Sequence, residues 1–154
     1  MRRVLFVCTG NLARSPVAER LLQAKLAGMG VDGVEVSSAG VMADEGNPPA
    51  GLAALEMAAR GLNLNGHRSR PLTPSLAREA DHIIVMEMMQ YRVAAAMANG
   101  AADKVRLLGE FLPGGGEREI PDPYGGERED MRATLEMIDR AVAEMAMRLR
   151  DGTL

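Results

Sequence analysis

The chain has 154 residues, of which 47% are apolar and 25% charged, and its net charge at pH 7 is −3. This is the composition of an ordinary globular protein, and the acidic balance argues against a dedicated nucleic-acid or membrane binder. The length predicts a single domain over residues 1–154. The single cysteine, Cys8, excludes an internal disulfide and a cysteine-based zinc site, so a reducing compartment, the cytoplasm, is expected.

Apolar runs and helical periodicity alternate along the chain. Strands are predicted at residues 4–7, 34–38, 82–86 and 105–108. Helices are predicted at residues 16–28 and 48–61, briefly from 73, and at 88–97. Apolar residues at every third or fourth position from 131 to 149 predict a long final helix. This helix is expected to pack on the core, with a partner-binding helix as the alternative.

Strand and helix alternate four times, which predicts a three-layer α/β/α fold with a four-stranded parallel sheet. Ligands of such folds bind at the carboxyl ends of the strands. Residues 8–15 follow the first strand and lead into a helix. The prediction is therefore a phosphate-binding loop after the first strand.

The segment C-T-G-N-L-A-R-S at 8–15 has the residues that an oxyanion site needs. Its backbone N–H groups can surround a tetrahedral oxyanion, and Gly10 is expected to supply backbone angles that other residues resist. Arg14 can donate two parallel N–H bonds to phosphate oxygens. A Cys8 thiolate could attack the phosphorus in line, and Ser15 could donate a hydrogen bond to the sulfur when it leaves. Considered alone, Cys8 could also be a small buried apolar residue.

A proton donor for the leaving group is predicted at Asp122, in the segment I-P-D-P-Y-G-G at 120–126. Flanking prolines stiffen this loop, although an aspartate in such a loop is often only a turn former. The neighbouring Tyr124 could stack on a substrate ring. The residues expected to contact substrate are Thr9, Gly10, Asn11, Leu12, Ala13, Ser15 and Tyr124.

Over essentially its whole length the chain resembles the low-molecular-weight protein tyrosine phosphatases. The matching segments are V-L-F-V-C-T-G-N-L-A-R-S-P at 4–16, S-A-G at 38–40, H-R-S-R at 67–70 and D-P-Y-G-G at 122–126. The resemblance implies Cys8 as nucleophile, Arg14 as phosphate clamp, and Asp122 as general acid and then base. It also implies a buried hydrogen-bond network that supports the loop, formed by Asn11, Ser15, Ser38 and His67. Without the resemblance, His67 would be read as a loop or core histidine.

The chain is also similar to the bacterial protein arginine phosphatases, a branch of the same family. The shared segments are C-T-G-N at 8–11, S-A-G-V at 38–41 and D-K-V at 103–105. That branch has threonine where this chain has Leu12, so an aryl phosphate is the expected substrate and phosphoarginine the alternative. Many family members have a second loop cysteine where this chain has Ala13. Where others offer an aromatic wall, this chain has Asp44 and Glu45.

Two remoter alternatives remain. A thiol-linked arsenate reductase needs further cysteines, which this chain lacks. A non-catalytic phosphate-binding or phosphorelay module needs a stable phosphocysteine, whereas Arg14 and Asp122 favour turnover. The expected partners are a phosphorylated protein substrate and inorganic phosphate or other oxyanions as product or inhibitor. The protein is expected to be a monomer without cofactor or metal, binding neither nucleic acid nor membrane.

Overall fold

A computed structural model describes residues 1–154 as an alternation of strands and helices. The strands are β1 (Arg2–Cys8), β2 (Val34–Gly40), β3 (His82–Val85) and β4 (Val105–Leu107). The α-helices are α1 (Arg14–Met29), α2 (Gly51–Ala59), α3 (Pro74–Glu79), α4 (Met88–Met97) and α5 (Arg128–Asp151). Two short 3-10 turns, Ala102–Lys104 and Leu108–Phe111, flank β4. None of the helices has the length and apolar character needed to cross a membrane.

The four strands form one parallel sheet in the order β2-β1-β3-β4. The central strand β1 pairs with β2 up to Cys8 opposite Gly40, and with β3 up to Val7 opposite Val85. Parallel pairing brings the carboxyl ends of these three strands to the same edge. The predicted four-stranded parallel sheet is confirmed, and Cys8 lies at that edge.

Helices cover both faces of the sheet. Alternate residues of β1 point to opposite faces, so this strand contributes side chains to a core on each side. Val4, Phe6 and Cys8 pack in a core with α1, α2 and α5. Leu5 and Val7 pack in a second core with α3 and α4. The predicted three-layer α/β/α architecture is therefore confirmed.

Helix α5 packs along α1, and its periodic apolar residues are buried. Its start is fixed to α2 by the buried Glu56, whose carboxylate contacts Arg128 and lies 3.4 Å from Arg132. Hydrogen bonds from Arg128 and Arg132 hold the pKa of the Glu56 carboxyl below its usual value. The final helix is thus a core helix, and its N-terminal end is firmly anchored beside the loop that carries Asp122.

The predicted start of the second helix at residue 48 is wrong, because α2 begins at Gly51. A residue that precedes proline is disfavoured in the helical conformation, and both Asn47 and Pro48 precede prolines. The segment runs extended instead, and Ala50 N donates a hydrogen bond of 2.8 Å to Leu12 O. The chain before α2 therefore lies against the candidate phosphate loop.

His82, at the start of β3, should make the stability depend on pH. Burial lowers its pKa below the usual value of 6.5, with Arg106 and Arg2 acting in the same direction and Asp81 opposing them. The unfolded chain then binds a proton more readily than the folded one, so the free energy of unfolding falls as pH drops below 6.5. His82→Gln should reduce this fall, measured by urea denaturation at about pH 8 and about pH 5.5. An undiminished fall would contradict the prediction.

Candidate active site

The turn after β1 has its unusual backbone conformation at Asn11, whose φ is 55°, in the left-handed region. Gly10 is not in that region, so the expectation that Gly10 supplies the special angles is wrong. Asparagine tolerates the left-handed conformation because its short amide can bond neighbouring groups. The Asn11 amide donates to Ser15 Oγ at 2.8 Å and Ser38 Oγ at 2.9 Å, and accepts from Arg70 N at 3.0 Å.

The Cys8 sulfur lies at the base of this turn, and Cys8 as a residue is 3% exposed. It accepts a hydrogen bond from Asn11 N at 3.3 Å, and Ser15 Oγ lies 2.9 Å away. Ser15 Oγ accepts from the Asn11 amide, and its one proton can be donated to the Cys8 sulfur or to Ala39 O, which lies 3.4 Å away.

The residues expected to support the loop meet at Asn11. His67 Nε2 lies 2.8 Å from Asn11 O, and since a carbonyl can only accept, the imidazole donates from Nε2. Ser38 Oγ donates in turn to Glu19 Oε1 at 2.6 Å. Sequence reasoning missed Glu19, which lies on the face of α1 that turns toward β2.

The end of β2 closely supports the loop backbone. Val41 N donates to Cys8 O at 3.0 Å, and Met42 N donates to Thr9 O at 2.9 Å. At Gly40, a Cβ atom would lie 2.5 Å from Thr9 O and 2.9 Å from Asn11 N. The Cβ of Ala43 would also lie 2.9 Å away, and only glycine fits at this position because Thr9 O and Asn11 N belong to the backbone of the loop.

Arg14 places a buried positive charge beside the loop, with its side chain 2% exposed. Its Nη1 donates to Glu87 Oε1 and, at 2.8 Å, to Ile120 O. These two bonds use both N–H groups of Nη1 and leave Nε and Nη2 to act as a fork for two oxygens. Sequence reasoning missed Glu87, although its position directly after the predicted strand 82–86, at the ligand-binding edge, was a usable signal.

Asp122 lies at the mouth of the site with its side chain 49% exposed. Its Oδ2 is 3.6 Å from Arg14 Nη2, and its Oδ1 accepts from Tyr124 N at 3.0 Å. The bond to Tyr124 closes a local turn that fixes the carboxyl group. Tyr124 itself is 91% exposed, so its ring packs against no part of the site.

The remaining expected contact residues are Leu12 and Ala13, and Ala13 packs against the core beneath α1 and α5. Leu12 and Ala13 are half-buried, whereas Asp44 and Glu45 are exposed. The atoms of Leu12 lie 3.8 Å from where a Cβ of Gly10 would be, so the isobutyl group covers the glycine. The structure shows no group of three or more His, Cys, Asp or Glu side chains that could hold a metal ion.

Replacing Gly40 should damage the loop without touching any predicted reacting group. In Gly40→Ala the added methyl displaces Thr9 O and Asn11 N, and kcat/KM for an aryl phosphate should fall on the order of 100-fold. Gly28→Ala on α1 is the matched control, because its methyl meets nothing within 4 Å. That control should keep full activity and gain about 0.5–1 kcal/mol of stability. Equal activities of the two variants would contradict this account.

Known proteins share both the fold and the motifs described above. The family model for "Low molecular weight phosphotyrosine protein phosphatase" matches residues 3–153. The chain is 39% identical over 146 residues to the low molecular weight protein-tyrosine-phosphatase Etp of Escherichia coli K12, covering 95% of this chain and 93% of Etp.

Two solved structures show the same similarity. The tyrosine phosphatase Wzb from Escherichia coli K30 in complex with sulphate has a TM-score of 0.85 and 33% identity, covering 96% of this chain and 97% of Wzb. A cysteine-to-serine mutant of the YwlE arginine phosphatase, with a phosphorylated active site serine, has a TM-score of 0.89 and 30% identity, covering 96% and 95%. The chain belongs to the low molecular weight protein-tyrosine-phosphatase family, which includes arginine phosphatases among its relatives.

Proposed function

We propose that this protein hydrolyses phosphotyrosine in proteins, and aryl phosphates generally, through a phosphocysteine intermediate. The observation that carries the proposal is the position of the Cys8 sulfur. It lies within a loop that ends at the buried guanidinium of Arg14, and the Asp122 carboxylate lies 3.6 Å from that guanidinium. This arrangement supports our assignment of Cys8 as nucleophile, Arg14 as oxyanion clamp and Asp122 as proton donor.

In the first step the thiolate of Cys8 attacks phosphorus, and the bond between phosphorus and the leaving oxygen breaks. Loop N–H groups and the Nε–Nη2 edge of Arg14 hold the three phosphoryl oxygens. Asp122 transfers its proton to the leaving oxygen, since a phenolate departs poorly without one. The phosphorylated active site serine in the cysteine-to-serine mutant of YwlE supports a covalent phosphoenzyme.

In the second step a water molecule attacks the phosphorus of the phosphocysteine while the Asp122 carboxylate accepts its proton. The bond between phosphorus and sulfur breaks, and inorganic phosphate is released. Ser15 Oγ, 2.9 Å from the sulfur, stabilises the returning thiolate by donating its proton in a hydrogen bond. The cycle uses no cofactor and no metal.

The substrate preference is argued from Leu12. The Leu12 carbonyl accepts a hydrogen bond from Ala50 N at 2.8 Å, which fixes the backbone at this residue. An apolar side chain suits the ring of a phosphotyrosine, whereas a guanidinium would need polar partners there. The tyrosine phosphatases Etp and Wzb support this choice, and the arginine phosphatase YwlE supports the alternative.

The other partners follow from the chemistry. Inorganic phosphate is the product and should compete with substrate, and the sulphate bound to Wzb supports oxyanion binding at this kind of site. We place the protein in a reducing compartment, the cytoplasm, because Cys8 acts only as a free thiolate. A monomer suffices, since every residue of the proposed cycle comes from one chain.

Hydrolysis of p-nitrophenyl phosphate and phenyl phosphate should separate the roles of Cys8 and Asp122. Cys8→Ser should be inactive on both substrates. Asp122→Ala should lose about several hundredfold in kcat on phenyl phosphate, whose leaving group is poor, and less on p-nitrophenyl phosphate. The wild-type pH profile should be bell-shaped, because the cycle needs an ionised Cys8 and a protonated Asp122.

Undiminished activity of Asp122→Ala on phenyl phosphate would assign the proton transfer to another residue. A stable phosphocysteine in the wild-type protein would favour the phosphorelay function over turnover.

Leu12→Thr tests the substrate class. The wild type should hydrolyse a phosphotyrosine peptide faster than a matched phosphoarginine peptide. The substitution should shift the ratio of the two kcat/KM values toward phosphoarginine by about tenfold, because the hydroxyl can bond the guanidinium. A wild-type preference for phosphoarginine would overturn the proposed substrate and favour the alternative.

A further inference from the structure

A buried glutamine connects the loop to the turn between β3 and α4. Gln90 is 0% exposed, and its Oε1 accepts hydrogen bonds from Met86 N at 2.8 Å and Glu87 N at 2.9 Å. Two backbone donors at one end fix the orientation of the amide, because only its oxygen can accept. Its Nε2 must then donate, and it lies 3.0 Å from Thr9 Oγ1.

This contact determines which way the Thr9 hydroxyl can donate. The oxygen accepts from Gln90 Nε2 and faces a second donor, Arg14 Nη2, at 3.4 Å. A hydroxyl has two acceptor positions and one proton, so the proton is directed away from both donors. Arg14 Nη2 belongs to the fork left for phosphate, which places the hydroxyl at the wall of the oxyanion site.

We propose that Thr9 Oγ1 donates a hydrogen bond to a phosphoryl oxygen, and that Gln90 is a positioning residue that directs this proton into the site. The inference rests on the proposed function and adds a side-chain donor to the backbone donors of the loop. Gln90 Nε2 and Arg14 Nη2 both face the Thr9 oxygen as donors, so the hydroxyl proton is left to bond an acceptor such as phosphate. A hydrogen bond to an anionic oxygen is stronger than one to a neutral oxygen, so removing the Thr9 hydroxyl should measurably weaken phosphate binding.

Thr9→Val removes the hydroxyl while conserving shape, and Thr9→Ser retains it. The dissociation constant of inorganic phosphate is measured by calorimetry, which needs no turnover, and its inhibition constant is measured against p-nitrophenyl phosphate. Thr9→Val should raise the dissociation constant and the inhibition constant on the order of tenfold, and Thr9→Ser should keep both within about threefold of the wild-type values. Thermal unfolding monitors the fold, and Thr9→Ala replaces the valine variant if that variant is unstable.

Gln90→Glu tests the positioning role, because it keeps the acceptor for Met86 N and Glu87 N but loses the donor to Thr9. The hydroxyl should then donate to the new carboxylate, away from phosphate. Phosphate affinity should fall on the order of tenfold, and in a Thr9→Val background the same change should add only about twofold. The loss of phosphate affinity that remains in the Thr9→Val background measures the direct effect of the added negative charge.

Two outcomes would overturn the inference. Equal phosphate affinity of Thr9→Val and wild type would exclude the hydroxyl as a phosphoryl ligand. Fully additive losses in the double variant would exclude positioning by Gln90. In both cases the wild type still binds and hydrolyses phosphate esters, so the proposed function stands. A wild type that neither binds phosphate nor turns over substrate would instead overturn the proposed function, and the inference with it.

Discussion

The left-handed turn at Asn11 is the constraint on which the rest of the site depends. A non-glycine residue holds this conformation only when its surroundings compensate for it. The Asn11 amide bonds Ser15, Ser38 and the backbone of Arg70, which come from α1, β2 and the segment before α3. Three separate parts of the chain therefore fix one backbone turn, and that turn directs Asn11 N at the Cys8 sulfur.

The buried guanidinium of Arg14 imposes the second constraint. A buried charge needs a partner, and Glu87 supplies it while Ile120 O accepts a further N–H. Because Ile120 also donates from its own N–H to Met86 O at 2.9 Å, the loop that carries Asp122 starts from a fixed point. Arg14 and the loop that carries Asp122 thus share one set of bonds, which couples the position of the guanidinium to the position of the carboxylate.

The fold was largely predictable, because buried strands and the long apolar face of α5 leave strong periodic patterns. Cys8, Arg14 and Asp122 could be named because their spacing and flanking residues indicate a known chemistry. The left-handed conformation at Asn11 rather than at Gly10 could not be predicted, since local propensity favours glycine and the tertiary hydrogen bonds that favour asparagine are not visible in the sequence. Gln90 was missed because its contact with Thr9 arises where β3 ends beside β1, which no local pattern encodes, whereas Glu87 had a usable signal in its position after the third predicted strand.

The bond from Arg14 to Ile120 spans 106 residues and has a consequence for biosynthesis. Translation delivers the cysteine segment first, whereas its carboxylate and carbonyl partners emerge near the end of the chain. The partners of the Asn11 turn have all been translated by residue 70, whereas the Arg14 guanidinium has no bond to Ile120 O until the chain has passed residue 120. The loop backbone can therefore be supported early in synthesis, but the surroundings of the Arg14 guanidinium are completed only when most of the chain has been made.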